Sequence, residues 1–129
     1  MPAPSVYTYD SAIKIAAQQV LLDALDAGSS NAKLFLRDDN DVLLSTLVCT
    51  DPAGTIDGNG TLTITFTGPD TNAAATGTCT YGEFVDSNNA VKLTVPVIAG
   101  DAPVYGYLVM NTNLILAGGT VSVISAQVG

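Results

Sequence analysis

Histidine and tryptophan are absent from this chain, and glutamate occurs once, at Glu83. Without histidine there is no side chain that exchanges protons readily near neutral pH, and the commonest neutral metal ligand is missing. Basic residues are scarce too. Lys14, Lys33, Arg37 and Lys92 stand against twelve acidic residues, for a net charge of -8. A phosphate backbone would be repelled, which argues against nucleic acid as a partner. Cys49 and Cys79 are the only cysteines. They are too few for a disulfide framework and too far apart for a short metal-binding pair. They read as two buried thiols behaving as small hydrophobes, with a single bridge between them left open by the spacing. No apolar run is long enough to cross a bilayer, so no membrane partner is expected. The opening Met1 to Asp10 has neither the basic end nor the apolar core of a targeting signal.

What remains is a short apolar chain. Its 129 residues and 13.1 kDa suit one domain, and 47% of them are apolar while 12% are charged. Soluble domains usually carry about 25% charged residues. So little charge does not oppose collapse, and disorder is excluded. The place of charge on the surface is taken by Thr, Ser, Asn and Gly, a surface suited to being covered by neighbours.

Residues 1–9 read as an extended arm, because Pro2 and Pro4 oppose helix and Tyr7 and Tyr9 alternate with polar neighbours. Residues 10–129 read as a single helix-plus-β-sandwich domain. The helix starts at Asp10 or Ser11, which can cap it, and stops at Gly28. Ile13, Ala16, Ala17, Val20, Leu21, Ala24 and Leu25 make an apolar stripe expected to cover one side of a sheet or the open end of a sandwich, with a partner-binding stripe as the other reading, and with Lys14, Gln18, Gln19, Asp23 and Asp26 on the other side or its margins. From Ala32 the period changes to two. Strands are expected over 32–37, 42–49, 61–67, 76–85, 91–97, 104–110, 114–116 and 120–128, with residues 51–60 as a loop. Seven or eight short strands and one helix predict a mainly β fold, an antiparallel β-sandwich of jelly-roll-like form, with a barrel as the other architecture such spacing allows.

Chemistry is thinly represented. Asp38, Asp39 and Asp41 could face calcium, but three acids at a hairpin tip are equally ordinary turn residues. Asp57-Gly-Asn-Gly60 opens like a calcium loop and lacks the remaining spacing. Glu83 could act as an acid or base only with a partner carboxylate that the sequence does not place. Serine and thiol nucleophiles lack an activating histidine, and no nucleophile elbow is present. The expectation is a chain that is not an enzyme, with no metal and no cofactor. Tyr105 and Tyr107 are expected on one face of a strand, either packed in the core or forming a surface-binding platform.

Three stretches carry a family resemblance. Thr76-Gly-Thr-Cys-Thr-Tyr81 leads into Phe84-Val-Asp-Ser-Asn88. The segment from Leu108 to Ser125 places Asn111, Ile115, Gly118, Val121, Val123 and Ser125 at a spacing close, though not identical, to a closing motif Asn-x-x-x-Ile-x-x-Gly-x-x-Val-x-Ile-x-Ser. Ala73-Ala-Ala-Thr-Gly77 and the opening helix complete the pattern. Together these resemble a family of small structural proteins of tailed bacteriophages and prophages, although Tyr81 is followed by Gly82 where the family often has an aromatic pair. The resemblance implies a capsid decoration or cement protein. Such a protein would be made in the host cytoplasm and sit on the outer capsid surface of the virion. It would bridge neighbouring copies of the major capsid protein and self-associate as a dimer or trimer. The arm, through Val6, Tyr7 and Tyr9, is the expected capsid or subunit contact, since an extended segment can add to a neighbour's sheet edge. A tail or baseplate component and a carbohydrate-binding attachment module are the competing functions.

Overall fold

The computed structural model describes residues 10–104 and 106–128. One helix, α1 (Ser11–Asp26), precedes nine strands. They are β1 (Lys33–Arg37), β2 (Leu43–Ile56), β3 (Leu62–Phe66), β4 (Gly77–Thr78), β5 (Tyr81–Val85), β6 (Val91–Ala99), β7 (Leu108–Met110), β8 (Leu114–Ile115) and β9 (Ser125–Val128). Seven of them close a barrel in the order β1-β2-β3-β9-β7-β6-β5, and β4 pairs with β8 in a separate two-stranded sheet. The mainly β fold with an N-terminal helix is as expected. The all-antiparallel, jelly-roll-like sandwich is replaced by a closed barrel in which β6 and β7 run parallel, Val97 opposite Leu108 and Ala99 opposite Met110.

Closure follows from alternation. Leu34 and Leu36 of β1, Leu47 of β2, Leu62 and Ile64 of β3, Phe84 of β5, Val95 and Val97 of β6 and Leu108 of β7 alternate onto the inner face and are buried. Gly82 lies among them, where a Cβ would sit 2.9 Å from Leu34 Cδ1, so the inner face of β5 is filled by its neighbours' leucines. Closing the sheet pairs most of its strand edges, which suits short strands in a chain with little surface charge.

β2 corrects the expected loop over 51–60. The strand continues through Asp51 and Pro52 to Ile56, bending as it changes partner from β1, opposite residues 43–48, to β3. Ala53 N–H donates to Asp26 Oδ1 at 2.8 Å. A Cβ on Gly54 would meet Thr63 O at 2.3 Å, so this crossing requires glycine. Only residues 57–61 form the turn.

The two open ends of the barrel are capped. α1 covers the end that holds the start of β1 and the end of β5, with Leu22 and Leu25 buried in the core and Ser87 Oγ donating to Ala27 O at 3.2 Å. The β4–β8 sheet covers the opposite end and buries Ile115 and Cys79. Asp10 O accepts from Ile13 N–H and Lys14 N–H, while the Asp10 side chain makes no capping bond.

Three hairpin turns share one design. Asp38, Asp57 and Asp86 each receive, on one carboxylate oxygen, the N–H groups two and four residues ahead: Asn40 and Val42, Asn59 and Thr61, Asn88 and Ala90. Each is followed three residues later by a left-handed residue, Asp41 (φ 64), Gly60 (φ 82) and Asn89 (φ 64). Aspartate mimics a backbone turn in this way, and Asn or Gly tolerates positive φ.

Candidate functional site

Asp38, Asp41, Asp57 and Glu83, singled out for chemistry, each have a structural partner. Asp38 is the anchor of its turn, and Asp41 accepts the Tyr81 hydroxyl, which holds the phenol proton up to about 12. Arg37 Nη1 donates to Asp41 O at 3.0 Å. Among the described residues no group of three His, Cys, Asp or Glu side chains could hold a metal ion. Asp57 closes its own turn, and the Thr61 and Asn59 N–H groups hold its carboxyl below the ordinary value. Glu83 is paired with the guanidinium of Arg37, which also lies 5.6 Å from the centre of the Phe35 ring. Among the described residues no helix is long and apolar enough to cross a membrane.

Cys49 and Cys79 are both free and both buried. Burial, assisted by the nearby Asp26 charge, pushes the Cys49 thiol up to about 12, and burial pushes Cys79 up to about 11. The thiolate is the reactive form, so neither is expected to react while the chain stays folded. Ellman's reagent at pH 8 is expected to label neither thiol in the native protein within minutes, and both at once in denaturant. Fast native labelling of either would show that its end of the barrel opens.

The strand expected over 104–110 is shorter, running only from Leu108 to Met110. Tyr107 lies in a turn before β7, closed by its N–H donating to Val104 O at 3.2 Å, and not on the strand expected over 104–110. Tyr105 lies outside the described residues, as do Val6, Tyr7 and Tyr9.

The helix stripe is corrected in part, since Leu25 is buried and Leu21 and Ala24 are half-buried as expected. The side of α1 turned to the barrel carries Leu22 and Leu25, with Lys14, Gln18 and Leu21 half-buried beside them. Ile13, Ala16, Ala17 and Val20 face solvent, with Ile13 58% and Val20 71% exposed. At 100° per residue this stripe lies roughly a third of a turn away from the inward face. A second exposed apolar set lies on the other cap, where Leu114 and Leu116 are 54% and 59% exposed. Each end of the barrel therefore presents aliphatic side chains that no part of the described chain covers.

Between the caps the barrel wall is split. β3 and β9 are paired only at Leu62–Val128 and Thr63–Gln127. Contact resumes where Asp70 N–H donates to Val121 O at 2.9 Å and Val121 N–H donates to Asp70 O at 2.7 Å. Between these two pins, residues 64–69 and 122–126 part. Each bank is tied to its outer neighbour: Thr67 N–H donates to Val48 O at 2.9 Å, and Ile124 N–H donates to Val109 O at 2.8 Å. Pro69 has no N–H with which to continue the ladder.

The slit is a cavity of about 530 Å³ lined by Phe66, Ile64, Val123 and Ala126 below and by Thr63, Thr65, Ser122, Ser125 and Gln127 around the rim. Pro69 and Pro103 form its outer lip, and no charged side chain lines it. The Phe66 ring stacks on Phe84, centroids 6.4 Å apart at 22°, so the floor of the slit is continuous with the core. The far pin is fixed by Asp70, whose Oδ2 accepts from the buried Ser45 hydroxyl at 2.6 Å.

None of these slit residues stood out in the sequence. The alternation of Thr61 to Thr67 identified a strand with threonines outward, and Gly68-Pro69 was the only local sign that its pairing ends. The chain matches no family model, no curated protein and no solved structure.

Proposed function

We propose that the chain is a non-enzymatic structural protein of a bacteriophage virion. In this reading it binds the outside of the assembled head and bridges major capsid subunits as a cement protein. The observation that carries the reading is the pair of exposed aliphatic sets on the two caps, Ile13 and Val20 on α1, and Leu114 and Leu116 on β8. A bridging protein needs contact surfaces on separate parts of one rigid body, and a barrel closed at both ends supplies them. Its net charge of -8 keeps the free protein soluble and away from DNA. Apolar caps covered only by the finished lattice stabilise that lattice by mass action, and many repeated sites add avidity. Self-association as a dimer or trimer belongs to the same proposal, since either cap can meet another copy.

Gold-labelled antibody on intact virions, viewed by electron microscopy, is expected to label the whole head. Label confined to the tail overturns the head assignment. On head-bound protein, Val20→Asp or Leu116→Asp is expected to lower occupancy at least about tenfold, because an unpaired carboxylate buried in a contact costs more than 1.4 kcal/mol. Full occupancy with both variants means that the caps are not the contact surfaces.

A further inference from the structure

The exposed stripe of α1 has an internal order. Ile13, Ala17, Val20 and Ala24 follow one another at spacings of four, three and four residues, the rhythm that keeps one line of side chains facing a partner helix. Ile13, Ala17 and Val20 are exposed and Ala24 is half-buried. All four are aliphatic, and Leu22 and Leu25, which hold α1 to the barrel, lie outside the line. A second helix docked here leaves the barrel contact untouched.

The order of sizes points to a second copy of the same helix and sets its direction. Along the line, large and small side chains alternate: Ile13, Ala17, Val20, Ala24. Two copies running antiparallel about a two-fold axis between Gln18 and Gln19 put Ile13 opposite the second copy's Ala24. The same axis puts Ala17 opposite the second copy's Val20. Each large side chain then meets a small one, and the surface is complementary to itself. Parallel copies would stack Ile13 on Ile13 and Ala17 on Ala17, crowding one layer and leaving the next underfilled.

Charge selects the same direction. α1 has no acidic residue in its first turn and no basic residue in its last, where Asp23 and Asp26 stand. Both acids oppose the helix's own dipole, whose negative end lies there. In the antiparallel pair they come level with the positive end of the second helix, Asp23 with Lys14 and Asp26 with Ser11, while Asp10 comes level with Ala27. In a parallel pair each acid would come level with its own copy. We propose that two copies of the chain associate through antiparallel pairing of α1 along Ile13, Ala17, Val20 and Ala24. This rests on the self-association proposed above and gives it a surface. The pair carries Leu114 and Leu116 on the caps away from α1, two equal contacts for a lattice. A helix of 16 residues is about 24 Å long, so the contact is smaller than a standard interface and the free pair is weak, with a dissociation constant on the order of micromolar.

Sedimentation equilibrium of the full chain tests it, at roughly 100 μM protein and about 0.15 M salt, which screens the repulsion between two chains of net charge -8. The wild type is expected at twice the chain mass. Val20→Asp should weaken the pair at least about tenfold with its circular dichroism unchanged. Cross-linking then reads the direction, since Cys49 and Cys79 are buried and leave introduced thiols to react alone. Under mild oxidation a mixture of Ile13→Cys and Ala24→Cys chains should form disulfide dimers. Ile13→Cys alone should do so at least about tenfold more slowly, because its two copies lie about 16 Å apart along the axis, beyond disulfide reach. A monomeric wild type overturns the proposal, and so does a dimer that Val20→Asp leaves intact. Ile13→Cys linking to itself as fast as the mixture also overturns it, because the helices then run parallel. The virion reading fails separately, on label absent from the head, and that result leaves a pair seen in solution standing.

Discussion

Replacing Phe84 by alanine is expected to destabilise the fold by about 4 kcal/mol, the usual range for truncating a fully buried phenylalanine being about 3–5. For a chain of this length that corresponds to a fall in Tm of roughly 15 °C. Phe84 is the largest side chain with no exposure at all. It comes from β5, which holds β1 on one side and β6 on the other, and its ring stacks on Phe66 of β3 across the barrel. Phe84 thus links the β5 wall to the β3 wall within the core. Its neighbour on the inner face of β5 is Gly82, already without a side chain, so nothing on that strand can move in to fill the cavity. Urea denaturation of wild type and variant checks this, with the midpoint falling and the slope unchanged. A loss below about 2 kcal/mol would mean that the walls do not pack through Phe84.

The residues that made the fold legible were those whose effect is local. Asp38 and Asp86 stand in segments that read as turns and Asp57 in one that reads as a loop, and all three close the same way in space. The alternation of Leu62, Ile64 and Phe66 set the inner face of β3, and both thiols are buried as read. What could not be read depends on partners far along the chain. Barrel closure rests on β1 pairing with β5, β3 with β9 and β6 with β7, and period-two patterning says which face is inside without saying which strand lies beside which.

The helix was misread for an energetic reason. Ile13, Ala16, Ala17 and Val20 form the tidier stripe, but alanines bury little area. Leu22 and Leu25, on the side facing the barrel, each gain about 1.5–3 kcal/mol from burial and decide the rotation of α1. Pro52 and Gly54 were misread because both are usual loop residues. Here Gly54 is required by the backbone of Thr63 pressing against it, a contact that exists only once β2 and β3 have paired. The slit was invisible for the complementary reason. It is a place where pairing stops between two strands that each read as continuous.

Asp70→Ala is expected to cost about 2–3 kcal/mol at pH 7, mainly by leaving the buried Ser45 hydroxyl without its acceptor. Thr46 N–H and Asn72 N–H lose the same carboxylate. Burial alone would push this carboxyl up, but the Ser45 hydroxyl with the Asn72 and Thr46 amides outweighs it and holds the group below its ordinary value. A depressed folded value sets the sign. The contribution is complete above the unfolded value of about 4 and is lost as pH falls through the lower folded value. Asp57 and Asp86 lie in the same direction, held down chiefly by the Thr61 and Ala90 amides of their turns. Urea midpoints should therefore fall from pH 6 toward pH 2 in the wild type. In Asp70→Asn that slope should be shallower, because one of the three depressed carboxyls is gone while the turns at Asp57 and Asp86 remain. Equal slopes would mean that the carboxylate of Asp70 does not pin the far end of the slit. The pin would then rest on the backbone bonds to Val121 alone, and the gap between β3 and β9 would keep its shape whatever the charge at its end.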